Sequence, residues 1–386
     1  MVNTAKATLS RWASAYETTD KYIIWIVLAL SAFGTVAVYS AISFLARTKS
    51  DGNTERFLFA HIIRVVLALG VMGVVSLINY RTLAKYSRIA LVVSVMLLAA
   101  VQIIGIRSGG AERWLEFGMF GFQPSDLAKV ALVLYLSHLL VRKQEYIKTF
   151  NTAFLPIIAW VLLTVVMIGI DDLSTAAMVL LVAIIMCFVG RVSVIHLGAL
   201  GLVGLLLGSA LIMQSPNRAA RIEAYMGVKI FPHTTEEDVF SARAEGYQEE
   251  QAKIAFAMGG LTGVGPGKST QRDFLPAPYN DFIFAIVAEE YGLIGAFGLL
   301  SMYLILLYRG ILRIARGAPD PLGLVLAVGL VSMLALYGFV HAGVACGLFP
   351  VTGLPMPFVS YGGTSMLANG VMIGILLNIV RESANR

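Results

Sequence analysis

Residues Ala153 to Gly190 read AFLPIIAWVLLTVVMIGIDDLSTAAMVLLVAIIMCFVG, a stretch whose only charged side chains are the neighbours Asp171 and Asp172. A helix of about 20 apolar residues spans the hydrocarbon core of a bilayer. The stretch therefore predicts two spans, 153–170 and 174–190, turning back on each other through one tight acidic loop. Working outward, the same pattern recurs at 22–45, 58–79, 87–106, 124–141, 194–213, 281–309, 321–346 and 358–381. The fold expected is an all-α polytopic membrane protein of ten transmembrane helices, forming a single domain over 1–386. Composition agrees: 58% of the residues are hydrophobic and 13% charged, whereas soluble domains carry about 25% charged residues. The first apolar run is too long for a cleaved signal sequence.

The basic residues in short loops orient the chain. Lys6, Arg11, Lys21, Arg81, Lys85, Arg88, Arg142, Lys143, Lys148, Arg191, Arg309, Arg313, Arg316, Arg381 and Arg386 fall on one side, against Arg47, Lys49, Arg56, Arg107 and Arg113 on the other. Both termini are thus expected in the cytoplasm, and the one long loop, about 214–280 between spans seven and eight, outside. The net charge of +6 follows from this bias and is no nucleic-acid footprint. Cys187 and Cys346 lie in apolar runs, so neither a disulfide framework nor a zinc site is indicated.

The long loop contains Gly259–Ser269, GGLTGVGPGKS. A nucleotide-binding phosphate loop needs Gly, four residues, then Gly-Lys-Ser/Thr; here the first glycine position is Thr262, and the loop lies outside, where no ATP is available. No nucleotide is expected. Just before it, Tyr247–Met258 has Ala252, Ala255 and Phe256 at helical spacing, which predicts a short amphipathic helix on the membrane surface.

Charged groups at membrane depth cost at least about 2.5–3.5 kcal/mol each on insertion scales, so each invites a functional reading. In QPSDLAK, Asp126 and Lys129 share a helical face; a helix start capped by Ser125 with an internal ion pair competes with a substrate role. In GIDDLST, Asp171 or Asp172 can cap the sixth span. In PAPYNDFIFAIVAEEYGLIG, Asp281 is either the N-cap of the eighth span or a general base at the lip of a cavity. Glu289 lies about 12 Å deeper along that helix, too far for a close acid/base partner, so Glu289 and Glu290 are expected to be structural or gating groups. Arg107, Arg113, Arg218, Arg221, Lys268 and Arg272 give either solvated loop charge or, beside Trp114, a basic mouth suited to a pyrophosphate head group. Pro350, Pro355, Pro357 and Gly353 predict a rigid, non-helical lead into the last span, tolerated only where protein or water covers it. Transporters also combine broken helices with buried acids, so residues alone leave enzyme and transporter both open.

FPVTGLPMPFVSYGGTSML strongly resembles the C-terminal signature of the SEDS family (shape, elongation, division and sporulation), which includes FtsW, RodA and SpoVE. GAERW, FQPSDLAK, DLST, GYQEEQAKIAFAMGGLTGVGPGKS and FLPAPYNDFIFAIVAEEYGLIG continue the likeness in family order, over nearly the whole chain. PVTG is similar to RodA-type members; the long stretch from Gly263 to Gly292 is closer to FtsW-type members, which tilts the resemblance towards division. The resemblance implies a peptidoglycan glycosyltransferase that polymerises lipid II at the outer face of the bacterial cytoplasmic membrane. It implies a class B penicillin-binding protein and other division or elongation membrane proteins as partners, with no nucleic acid. The family's key acid falls on Asp281, its outer tryptophan on Trp114, and its serine and lysine on Ser125 and Lys129, with Asp126 in place of glutamate. Asp171 and Ser174 depart from the family's PDLGT element around Asp172. Arg113, Arg221 and Lys268 are the candidates to meet the leaving pyrophosphate, with or without a divalent cation, Mg or Mn, whose ligands are not assigned. A lipid II transporter and a non-catalytic scaffold are the rival functions.

Overall fold

The computed structural model describes residues 20–42, 54–108, 111–117, 120–227 and 236–384. Lys6, Arg11, Arg47, Lys49 and Arg386 of the charge count lie outside the described residues, as does the side chain of Arg107. In chain order the helices are α1 Lys21–Ala41, α2 Thr54–Ser76, α3 Tyr80–Ile104, α4 Pro124–Arg142, α5 Leu155–Gly169, α6 Leu173–Val189 and α7 Val194–Met213. Two helices, α8 Pro216–Met226 and α9 Glu236–Gly259, occupy the long loop before α10 Ile283–Arg309, α11 Pro321–Ala345 and α12 Thr364–Ala384. Nine of the described helices are long and apolar enough to cross a membrane, and α6 is a shorter apolar helix. Each expected span has its helix, and the chain is a multi-pass membrane protein.

The helix ends follow from local chemistry. Asp20, Asn79 and Asp320 cap α1, α3 and α11 by accepting bonds from first-turn amides, which satisfies donors a helix start leaves unpaired. α4 starts differently from expectation: Gln123 is its N-cap and makes no side-chain cap bond, with Pro124 at the first helical position. Ser125 therefore lies inside the first turn and is no cap. The last span begins at Thr364, six residues later than read from the sequence, because Gly362 and Gly363 and a left-handed Phe358 (φ 62°) hold the preceding segment out of the helix.

α4, α11 and most of α12 are buried among the other helices, whereas α7 faces outward along nearly its whole length. Between α3 and α4 the chain forms a small antiparallel sheet that the all-helical reading did not include, β1 Ile106–Ser108, β2 Ala111–Phe117 and β3 Phe120–Phe122, in the order β1-β2-β3. α9 is longer than the amphipathic helix expected at its end. Its buried Ala252 and Ala255 face protein, with Phe256 packed 5.7 Å from the ring of Phe284 on α10.

Candidate functional site

Asp281 ends the segment PAPYND, where the amides of Asn280 and Asp281 both donate to the Ala277 carbonyl at 3.1 Å. The helix that follows takes Phe282 as its N-cap, without any side-chain cap bond. The capping alternative for Asp281 is thus excluded by geometry. Its Oδ1 is buried and has no hydrogen-bond partner among the described residues. An unpaired buried carboxylate oxygen costs free energy unless something else meets it.

The proline-rich segment holds this acid in place. Tyr361 donates its amide to Tyr279 (2.9 Å); Ser360 Oγ donates to the Asn280 carbonyl and accepts from the Met356 amide, each at 2.8 Å. Behind it, the hydroxyl of Tyr303 on α10 donates to the Pro357 carbonyl, and His341 Nδ1 on α11 lies 2.7 Å from the Leu354 carbonyl. Gly353 has φ +65° and sits so close that a Cβ there would lie 3.7 Å from Asp281 Oδ2. Rigid non-helical backbone, covered by protein, therefore sets the position of one carboxylate.

Burial pushes Asp281 up to about 6; Arg113 and Arg221 oppose the rise and Asp172 adds to it. Three of the sequence candidates thus lie within electrostatic reach of the acid. Arg113, on β2, donates from Nε to the Asp171 carbonyl (3.0 Å) and from Nη1 lies 3.5 Å from Asp172 Oδ2. Asp172 caps α6 through the Thr175 amide (2.9 Å), as one of the two sequence readings had it, and also carries the ion pair. Arg113, Gln123, Ser125, Asp171 and Asp172 line a narrow, partly open crevice between α3, α4 and the α5–α6 turn, with room for about one water molecule. Trp114, beside Arg113, is half-buried and packs over Gly121 of β3.

Lys129 and Asp126 form a buried ion pair at 2.7 Å. Asp126 Oδ2 also accepts from Thr364 Oγ1 (2.7 Å), and the Lys129 ammonium lies 4.8 Å from the centre of the Tyr337 ring. The pair thus ties α4 to the start of α12 and to α11. Lys268 is exposed, its stem against Gly265, and it is not among the charges that shift Asp281.

The glycine-rich loop does hold an anion through its backbone, and that anion is Glu289. Thr270 and Gln271 donate their amides to this carboxylate at 2.9 and 3.3 Å, and the hydroxyls of Ser269 and Thr270 add to them. The loop reaches Glu289 because α10 is broken at Gly292 (φ 66°, ψ −168°). Val264 and Gly265 donate to the carbonyls of Glu289 and Glu290, while Leu293 and Ile294 donate back to Gly260 and Leu261. A Cβ on Gly263 would lie 2.1 Å from the Glu290 carbonyl oxygen, so only glycine admits this approach. Glu290 accepts from Ser40 Oγ on α1, while its Oε2 is buried without a partner among the described residues.

Among the described residues, no three His, Cys, Asp or Glu side chains converge to hold a metal ion. Sequence reasoning overlooked the small sheet that carries Arg113 and Trp114, and also His61 and Arg64 on α2. The signal for the latter pair was a charged residue in the middle of the apolar run 58–79.

The family described as "Cell cycle protein", spanning FtsW, RodA and SpoVE, matches residues 21–385. The chain is 39% identical over 369 residues to the "Probable peptidoglycan glycosyltransferase FtsW" of Geobacter sulfurreducens, covering 94% of this chain and 95% of the relative. It is 36% identical over 370 residues to "Stage V sporulation protein E" of Bacillus subtilis, covering 94% and 97%. Two solved structures are similar. One, described as "Structural coordination of polymerization and crosslinking by a peptidoglycan synthase complex", has a TM-score of 0.74 at 25% identity over 95% of this chain and 98% of that one. The other, the Rod shape determining protein RodA of Thermus thermophilus, has a TM-score of 0.68 at 26% identity over 94% and 97%.

Proposed function

The chain belongs to the FtsW, RodA and SpoVE family of cell cycle proteins, and from that premise we propose that it is a peptidoglycan glycosyltransferase with Asp281 as its general base. The observation that carries the assignment is the carboxylate itself. Asp281 is fixed by the proline-rich segment, caps no helix, has a buried Oδ1 without a partner, and is raised to about 6. A base whose pKa lies near the working pH combines the ionised form with useful proton affinity.

In this reading the substrate is lipid II, with an undecaprenyl diphosphate on C1 of N-acetylmuramic acid. The 4-hydroxyl oxygen of an incoming N-acetylglucosamine forms the new bond to C1 while its proton passes to Asp281. The C1–oxygen bond to the diphosphate breaks, and the electron pair departs with that group. Attack from the face opposite the leaving group inverts C1. Arg113 and Arg221 stand where their charge already acts on Asp281, so they can also meet the negative charge that develops on the diphosphate. Trp114 offers an apolar wall to a sugar ring beside Arg113, and Ser125 and Asp172 line the adjoining crevice. Lys129 acts through position, by fixing the start of α12. Lys268 stands ready at the exposed edge to receive a diphosphate at longer range. A divalent cation, Mg or Mn, finds no cluster of three ligands among the described residues, and no step here runs through one.

The partner in this reading is a class B penicillin-binding protein, which the likeness to a synthase complex of polymerisation and crosslinking supports. The basic ends of α3, α4, α10 and α12 support a reading with the termini in the cytoplasm and Asp281 outside the cytoplasmic membrane. The test is the purified chain, with its partner, supplied with labelled lipid II. Wild type should make glycan polymer and Asp281→Asn none, in protein of equal stability or better. Lipid that crosses a vesicle bilayer with its mass unchanged, and no polymer, would make the chain a transporter instead.

A further inference from the structure

The turn between α5 and α6 carries one more charge than its helices need. Asp172 caps α6 through the Thr175 amide, and the amides of Asp171 and Asp172 both donate to the Ile168 carbonyl to close the turn. None of these bonds uses the Asp171 side chain. That carboxylate reaches α3, where Gln102 Nε2 lies 2.5 Å from its Oδ2. A carboxylate only accepts, so Gln102 presents its amide nitrogen and the bond is charge-assisted. Gln102 stands on the last turn of α3, and both side chains are half-buried. A single bond thus ties the α5–α6 turn to a helix that precedes it by some seventy residues.

The same turn holds two arginines by its backbone. The Ile170 carbonyl accepts from Arg218 Nη2 on α8, and the next carbonyl, that of Asp171, accepts from Arg113 Nε on β2 at 3.0 Å. Arg113 Nη1 lies 3.5 Å from Asp172 Oδ2, and Arg218 Nη1 reaches the Leu211 carbonyl of α7 at 3.5 Å. Arg221 follows Arg218 by three residues on α8 and so shares its face. Burial holds the Arg218 guanidinium below its ordinary value; Arg113 and Arg221 push the same way, and Asp172 and Asp171 oppose them. Three guanidinium groups therefore converge on one turn, with two carboxylates among them. Cations gathered this way repel, so their spacing depends on what anchors them. The anchors are two consecutive carbonyls, and the turn that carries these is itself fixed to α3 through Gln102. A shift of the turn would move Arg113 directly and Arg221 through Arg218.

We propose that Gln102 and Asp171 are positioning residues for the leaving group: their bond fixes the α5–α6 turn, and with it the separation of Arg113 and Arg221 across which a diphosphate is held. The inference rests on the polymerase reading, which makes those two arginines the cations that meet the departing diphosphate. Two linked phosphoryl groups engage two guanidinium groups held at a set spacing, each with the forked geometry that suits phosphate oxygens. One phosphoryl group engages only one of them. The spacing therefore selects diphosphate over monophosphate. Gln102 and Asp171 touch no substrate in this arrangement and act through the arginines.

The test compares the affinity of the full chain in micelles for undecaprenyl diphosphate and for undecaprenyl monophosphate, in wild type, Gln102→Met and Asp171→Asn. Unfolding temperatures are measured on the same preparations. Gln102→Met removes the donor without changing charge. Its affinity for the diphosphate should fall about tenfold, the scale of one charge-assisted hydrogen bond, while its affinity for the monophosphate holds, so the ratio of the two falls by that factor. Asp171→Asn keeps an acceptor for Gln102 and removes a negative charge from beside the diphosphate, so its ratio should hold or rise. A Gln102 that served only the fold would lower the unfolding temperature and weaken both lipids alike. That result, an unchanged ratio in Gln102→Met, or a lowered ratio in Asp171→Asn would overturn the inference. Binding needs no turnover, so polymer assays on these preparations separate the two ideas. A Gln102-dependent ratio without polymer from wild type would support the positioning of the arginines and sink the polymerase reading. Polymer from a wild type that binds both lipids equally would keep that reading and sink the positioning.

Discussion

At the scale of the residue, Asp281 makes a prediction that distinguishes a base from a structural acid. Its folded-state value is raised, from 3.8 to about 6. A raised carboxyl favours the folded state in its protonated form, so the stability linked to it is present below about 3.8 and is lost as pH rises through about 6. The difference corresponds to at most about 3 kcal/mol at neutral pH, reduced by the water that part of the side chain still touches. Asp281→Asn should therefore unfold at a higher temperature than wild type at neutral pH, and the gain should vanish near pH 4. A capping aspartate would show the opposite, little change or a loss on the same substitution. The acid was legible from its setting in PAPYNDFIFA. Its lack of a partner was not, because that depends on Gly353 and Ser360, more than seventy residues later in the chain.

At the scale of the element, the glycine-rich loop and the broken helix α10 are one device. The loop has the backbone habit of a phosphate loop, and the sequence shows that habit plainly. What it holds is the carboxylate of Glu289, across a break at Gly292 that neither stretch reveals alone. Glu289→Gln keeps the shape but swaps an acceptor oxygen for a donor facing the amides of Thr270 and Gln271. It should cost about 1–3 kcal/mol in thermal unfolding and raise proteolysis between Gly259 and Arg272; an unchanged melting temperature and cleavage pattern would refute the role. The small β-sheet was missed for a related reason. Its strands are three to seven residues long, too short for an alternating pattern to stand out beside two apolar spans.

At the scale of the whole molecule, the apolar helices were legible because bilayer thickness imposes one length on each, and a charge-poor window of that length has no soluble counterpart. Contacts between spans distant in sequence were not legible, and the Asp126–Lys129 pair shows why. Its i,i+3 spacing is visible, while its link to Thr364 joins α4 to a helix some 240 residues on. Lys129→Met leaves a buried unpaired Asp126 and should cost about 3–5 kcal/mol, with much of that recovered in the double variant with Asp126→Asn. Additive losses in the double variant, read by thermal unfolding in micelles, would show that the pair does not act as a unit.

The central claim is that this fold exists to hold one carboxylate as a base, and its most direct test is the rate of glycan polymerisation from labelled lipid II against pH. The measurement uses the full chain with the proposed penicillin-binding partner, for wild type and Asp281→Asn. Because the base works ionised, the wild-type rate should fall with acid around a midpoint of about 6, and Asp281→Asn should make no polymer at any pH. A wild-type rate flat through pH 6, or polymer from Asp281→Asn, would contradict the account.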